Sequence, residues 1–238
     1  IKMKTKNQKY KMIIVCGGRG RRMGNLTNKT PKPLIKIGGK TIIEHKIRYY
    51  KTQRLNDFIF CLGYKSKLIK KFLIKKLPKS IFHDGGINSG ILKRIFLVKK
   101  YIKDHTIISY GDTLAQINFK NLIKSHKRSK CLMTIVAAPI QNPFGLLNWN
   151  KKGKAIFFNE KPILNHYIGY AVISPNFFNK ISNQIVNLKD GDGIVKVIKY
   201  LIKKREVNIY KFNDLQVTIN SPEELKHARL NYKKYFTI

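Results

Sequence analysis

The stretch from Met12 to Pro33, MIIVCGGRGRRMGNLTNKTPKP, constrains the fold more than any other part of this 238-residue chain. Ile13, Ile14, Val15 and Cys16 form a short apolar run without alternation, the pattern of a strand buried on both faces of a parallel sheet. Gly17, Gly18 and Gly20 follow at once, where bare backbone can turn sharply and approach a ligand closely. Arg19, Arg21 and Arg22 come next, and Lys32 stands between two prolines that hold it on a stiff, extended segment. A strand, a glycine loop and a ring of fixed cations together describe a polyphosphate site.

Two other phosphate motifs compete. Gly18, Gly20 and Gly24 satisfy a variant of the dinucleotide fingerprint, but that site needs a helix straight after the glycines and an acid closing the second strand. Asn25, Thr27, Asn28 and two prolines argue against the helix, and the second strand ends in Cys61-Leu62-Gly63. No Gly-Lys-Ser/Thr closes the loop as a Walker motif would require.

The remaining sequence reads as a βαβ rhythm. Thr41 and Glu44 form a capping box for a helix reaching about Arg54, with Ile43, Ile47 and Tyr50 facing inward. Asp57–Leu62 is the second strand, and Ser66 is expected to cap a helix carrying Leu68, Ile69, Phe72 and Leu73 inward. A loop at 84–90 precedes a helix over about Ile91–Tyr101, then a strand at Thr106–Ser109 ends in Tyr110-Gly111-Asp112. Ligands bind beyond the carboxyl ends of strands in such sheets, which puts Asp112 where chemistry happens. A helix (Phe119–Ser129) and a strand (132–137) complete the first half. A hairpin (146–150 and 155–158), a strand (167–173), a helix (194–203) and a strand (207–212) follow. A second capping box, Ser221-Pro-Glu-Glu224, opens a last helix to about Tyr235. The expected fold is α/β: a Rossmann-like, mixed but mostly parallel sheet flanked by helices, with a small antiparallel insertion walling one side of the pocket. Residues 1–11 read as a flexible basic tail and 12–238 as a single domain.

The chain carries 49 Lys+Arg against 12 Asp+Glu, a net charge of +37. A polyanion partner would explain the excess. So would A/T-rich codons, because Lys, Ile, Asn, Tyr and Phe are all abundant. The lysines are scattered and aromatic interleaving for base stacking is absent, which argues against a specific nucleic-acid site. No apolar run nears the ~18 residues of a membrane span, and the apolar run after the basic start is too short for a secretory signal. Cys16, Cys61 and Cys131 lie far apart without a C-x-x-C pair, which fits reduced thiols in a cytoplasmic protein.

The Gly17-Gly18-Arg19-Gly20-Arg21-Arg22-Met23 run with Pro31-Lys32-Pro33 resembles the opening of the sugar-phosphate nucleotidyltransferases. Asp57–Lys65 is most similar to the glucose-1-phosphate cytidylyltransferase branch, and Tyr110-Gly111-Asp112 and Glu160-Lys161-Pro162 extend the likeness over nearly the whole chain. The resemblance implies a nucleoside triphosphate, CTP favoured, and a sugar-1-phosphate as partners, Mg²⁺ as cofactor, and pyrophosphate as product. In that scheme Arg22 grips the leaving phosphates bidentately, Lys32 neutralises the α-phosphate, and Gly17, Gly18 and Gly20 open backbone N–H groups to the nucleotide. Ser89 and Gly90 match the end of the loop lying along the base. Gly145, Glu160, Lys161 and Gly169 match the sugar-phosphate side. Asp112 is the implied metal ligand.

Three departures stand out. Arg21 occupies a place where the family has Thr or Ser, and the sugar-site asparagine before Gly169 is missing. The second metal aspartate is absent from Val217–Ser221, leaving Asn220 or Thr218 in its place according to alignment. That loss motivates a second reading, a catalytically impaired relative that binds nucleotide as a regulatory subunit. A homo-oligomer is left open.

Overall fold

The structure, a computed structural model, describes residues 10–236. Seven strands form the central sheet: β1 (Lys11–Val15), β2 (Asp57–Leu62), β3 (Ile81–Asp84), β4 (Thr106–Tyr110), β5 (Met133–Gln141), β6 (Ile163–Ile173) and β7 (Val207–Lys211). Their order is β7-β5-β6-β4-β1-β2-β3. All neighbours pair parallel except β6, which runs antiparallel to both β5 and β4. β1 and β4 therefore lie side by side with their carboxyl ends together, Val15 opposite Tyr110.

The unbroken apolar runs are explained by the two cores. Met12, Ile14, Phe58 and Phe60 enter one, and Ile13, Val15, Ile59 and Cys61 enter the other. Strands with both faces covered have no polar side to show, so alternation vanishes. Helices α1 (Ile42–Thr52), α2 (Ser66–Ile74), α3 (Ile91–Phe96), α4 (Phe119–Ser129), α5 (Asp192–Lys203) and α6 (Pro222–Leu230) include the coverings of these faces. Both capping boxes form as expected, at Thr41/Glu44 and Ser221/Glu224.

Several expectations need correction. The segment after the glycines does contain helix, a 3₁₀ turn at Arg21–Met23 and one α-turn at Leu26–Lys29, because Met23 and Thr27 turn inward. The first residue of α2 is Ser66, with Lys65 before it in the left-handed region; the Ser66 hydroxyl instead bonds Asp84. Leu68 is exposed while Ile69 and Leu73 are buried. The helix expected over 91–101 ends at Phe96, with a separate 3₁₀ turn at Lys99–Tyr101, and the last helix breaks at Asn231 before a short helix at Tyr232–Phe236. Strand β1 begins at Lys11, and the remaining tail residues 1–9 lie outside those described.

The insertion is a hairpin of Leu146–Trp149 and Ala155–Asn159. A third, smaller apolar cluster joins Met23, Ile35, Ile37, Ile42, Leu114, Val217, Ile219 and Leu225. It ties together the segments after β1, after β4 and before α6. No helix among the described residues is long and apolar enough to cross a membrane.

Beside β5, the His126 ring on α4 is buried, with Nδ1 2.8 Å from Thr134 Oγ1 and Nε2 3.1 Å from Ser174 Oγ. Burial, aided by His105 and Lys127, lowers its pKa to about 4 from 6.5. Between those pH values the unfolded chain binds a proton that the folded chain refuses. His126 therefore supports the fold fully above pH 6.5, and that support is lost as pH falls towards 4. His45 and His105, lowered mainly by burial, act with the same sign. Melting temperature should fall from pH 6.5 to 4.5, and His126→Gln should make the slope shallower; an unchanged slope would exclude this assignment.

Candidate active site

The glycine loop leaves the carboxyl end of β1, and Gly111-Asp112 leaves the carboxyl end of β4. The two turns are locked to each other. Gly111 N–H donates to Val15 O at 2.9 Å, and a Cβ on Gly111 would sit 2.9 Å from that same oxygen. Only glycine allows so close a crossing. On the far side, Ile219 N–H donates to Asp112 O at 3.0 Å, through a two-stranded ladder of Thr113–Ala115 with Gln216–Thr218.

Lys32 closes the arrangement. It starts a 3₁₀ turn directly after Pro31, and its Nζ donates to Asp112 Oδ2 at 2.8 Å and Asn220 Oδ1 at 2.9 Å. Arg22 Nη2 donates to the same Asn220 oxygen at 3.1 Å. Thr218 turns elsewhere, its hydroxyl 3.1 Å from that of Thr113. Of the two alternatives for the missing acid, Asn220 is the residue facing the site.

These side chains line a cavity of about 700 Å³. Gly18, Gly20, Arg22, Lys32, Asp112 and Asn220 all reach it. Six cationic side chains (Arg19, Arg21, Arg22, Lys32, Arg94 and Lys189) meet only two carboxylates there, Asp112 and Asp190, so the space suits a polyanion. Cys16 also lines it, but burial pushes the thiol up to about 12, which leaves it protonated and unsuited to nucleophilic attack.

Other expected residues are placed less directly. Gly17 is not on the wall; it makes room for Arg94, whose guanidinium would overlap any Cβ there. From the loop before α3, Ile87 and Asn88 face the cavity, whereas the Ser89 hydroxyl turns back to Gly85 O and Gly90 packs under Leu188 and Asp190 carbonyls. Gly169 lies at φ +78° in a bulge of β6, where a Cβ would strike the Tyr110 ring that does line the cavity. Gly145, Glu160 and Lys161 flank the hairpin and do not line the cavity. Gly145 packs on Phe158, and Glu160 and Lys161 form an exposed pair 3.8 Å apart.

Sequence reading missed Arg94, Tyr110 and the Lys189-Asp190 turn. Arg94 sits on α3 beside apolar Leu92 and Ile95, and is buried with them. Its Nη2 bonds Gly86 O at 3.2 Å, tying the loop that reaches the cavity to the glycine turn. The available signal was Gly17, Gly63 and Gly85, each of which needs its missing side chain to accommodate Arg94.

With this geometry in view, comparison with known proteins decides the lineage. The family model described as "Nucleotidyl transferase" matches residues 11–216. The chain belongs to this family. This nucleotidyltransferase is 31% identical to the "Probable glucose-1-phosphate cytidylyltransferase" of Bacillus subtilis (strain 168), covering 90% of this chain and 93% of that one. It is 30% identical to the glucose-1-phosphate cytidylyltransferase of Salmonella typhimurium, over 73% and 78% of the two chains. Among solved structures, HddC from Yersinia pseudotuberculosis complexed with GMP-PN shares the fold at a TM-score of 0.72 and 21% identity, over 94% of this nucleotidyltransferase and all of that chain.

The fit of Arg94 beneath the glycine turn is testable. Gly17→Ala should displace the guanidinium and destabilise the nucleotidyltransferase by about 1–3 kcal/mol, the usual cost of overpacking. Denaturant unfolding measures it, and a native midpoint would show that Arg94 has room to move.

Proposed function

We propose that this chain transfers a nucleotidyl group from a nucleoside triphosphate, CTP favoured, to a sugar-1-phosphate. An oxygen of the sugar phosphate attacks the α-phosphorus, the α–β phosphoanhydride bond breaks, and pyrophosphate leaves. The observation that carries this reading is the convergence of Arg22, Lys32 and Asp112 beside the glycine loop, in a cationic cavity beyond adjacent parallel strands. The names of the two bacterial relatives favour cytidine and glucose-1-phosphate. A heptose 1-phosphate guanylyltransferase of Campylobacter jejuni, 25% identical, marks the breadth of bases and sugars such chains use. The product is a nucleotide-sugar of the kind consumed in polysaccharide synthesis, and three free thiols suit a cytoplasmic enzyme.

Phosphoryl transfer of this type depends on positioning and charge neutralisation more than on covalent help. In this reading the glycine loop lets phosphates approach backbone N–H groups. The Arg22 fork holds the leaving β- and γ-phosphates, and Lys32 offsets charge on the α-phosphate. Glu160 and Lys161, beside the hairpin, serve the sugar phosphate, with Gly145 and Gly169 on the same sugar-phosphate side. Ser89 and Gly90 set the loop that flanks the base.

A divalent cation fits the donor set. Asp112 Oδ2 and Asn220 Oδ1 both face one point, where the Lys32 ammonium stands in as a cation. Mg²⁺ takes one or two carboxylates together with phosphate oxygens and water, so Asp112 with Asn220 would hold it. When bound, Mg²⁺ would supply positive charge to the phosphate oxygens. Asn220 adds no negative charge of its own, and its oxygen is already shared by Lys32 and Arg22. That sharing supports the second reading, a nucleotide-binding relative with impaired turnover.

Pyrophosphate release with a panel of triphosphates and sugar phosphates separates the two. Lys32→Ala and Arg22→Ala should each slow turnover by about 10²–10³-fold with the fold retained, the scale of losing a preorganised charge contact. Near-native turnover in either would exclude the glycine-loop assignment. Nucleotide binding with no pyrophosphate at any Mg²⁺ concentration would establish the impaired reading.

The metal assignment has its own test. Asn220→Asp should lower the half-saturating Mg²⁺ concentration about tenfold or more, because a charged ligand replaces a neutral one. Thr218→Asp should leave it unchanged. If only Thr218→Asp acts, the assignment of Asn220 fails.

A further inference from the structure

Helix α1 presents Ile43, Lys46, Ile47 and Tyr50 on one face, at the spacing that carries a helix's apolar stripe. Lys46 is the exception in chemistry but not in burial, being only 1% exposed. Among the described residues no carboxylate pairs with it. Its Nζ instead donates to Thr113 O and to Tyr170 Oη (2.8 Å), and lies 4.6 Å from the Tyr170 ring centre and 5.5 Å from that of Tyr50. Taking an ammonium out of water without a counter-charge is costly, and an apolar side chain of similar length would pack at this position without that cost. The fold alone gives no reason for a lysine here.

The partner it reaches supplies one. Thr113 directly follows Asp112. The Thr113 carbonyl receives a second donor, Tyr170 Oη at 2.8 Å; Tyr50 Oη donates to Tyr170 Oη at 3.3 Å and lies 2.6 Å from Ser109 Oγ on β4. All these residues are buried. The backbone around Asp112 is thus fixed from three sides: Gly111 N–H on Val15 O, Ile219 N–H on Asp112 O, and the Lys46–Tyr170 pair on Thr113 O. Lys46 also lies near enough to the glycine turn for its charge to act on the Cys16 thiol, on which Asp112 acts with the opposite sign.

We propose that Lys46 is a positioning residue for the transfer reaction: from inside the core it holds the Thr113 carbonyl, and with it the turn that presents Asp112. The proposal rests on the transferase reading for its kinetic consequence but not for its structural one. Preorganised geometry of this kind acts on turnover rather than on substrate affinity, since small misplacements of a reacting group cost rate.

Lys46→Met in the full chain tests it. The melting temperature should stay level or rise, because an apolar side chain replaces an unpaired buried charge. Turnover should fall at least tenfold, while KM for triphosphate and for sugar phosphate stays within about threefold. Hydrogen exchange at the Ile219 amide, which bonds Asp112 O, should quicken at least tenfold with exchange elsewhere in the sheet unchanged. Exchange needs no activity, so it tests Lys46 even in a chain that releases no pyrophosphate. Tyr170→Phe, which removes one donor and keeps the ring, should shift both readouts the same way by a smaller factor, and it decides the matter if Lys46→Met fails to fold. A variant that melts lower yet keeps native turnover and native Ile219 exchange would overturn the proposal, leaving Lys46 a packing residue.

Discussion

The contact on which the site depends is the Lys32 ammonium held between Asp112 and Asn220. It joins residues 80 and 188 positions apart in the chain, at 2.8 and 2.9 Å. A lysine is long and loses much side-chain freedom when fixed. Its placement therefore has to be determined by the backbones beneath it. Pro31 sets the entry to its turn, and the small cluster of Met23, Ile35, Leu114, Val217 and Ile219 fastens the three segments to one another. The polar site is in this sense the surface of a hydrophobic cluster separate from the two large cores.

Excess positive charge serves the cavity and burdens the rest. Six cationic side chains around about 700 Å³ make a strong field for a triphosphate. They repel one another while the cavity holds no anion, and carboxylates and carbonyls divide the load: Asp112 and Asn220 take Lys32 and Arg22, while Gly86 O takes Arg94. The chain as a whole carries 49 Lys+Arg against 12 Asp+Glu, a net charge of +37.

The hairpin differs physically from the body of the protein. Phe144, Leu147, Trp149, Ile156 and Phe158 are all well exposed, and the hairpin's two strands pair only with each other. Two strands without a covering layer are of marginal stability. The residues expected on the sugar side, Gly145, Glu160 and Lys161, therefore flank an uncovered element, whereas the glycine loop and Asp112 follow strands at the centre of the seven-stranded sheet.

What the sequence determined by itself was whatever depends on near neighbours. The unbroken apolar run at 12–16 announced a doubly covered sheet, both capping boxes marked real helix starts, and the glycines with Pro31-Lys32-Pro33 marked a loop that lines the cavity. The family resemblance pointed to Asp112, which lines the same cavity. Only the tertiary structure decided matters set by distant partners. It set Asn220 rather than Thr218 at the cavity, because the pairing of Thr113–Ala115 with Gln216–Thr218 turns Thr218 towards Thr113. It also decided what the buried cations Arg94 and Lys46 meet, because both bond backbone carbonyls, those of Gly86 and Thr113. A backbone carbonyl carries no residue identity, so the partner of a buried cation cannot be read along the chain; it exists only once the fold has brought the two together.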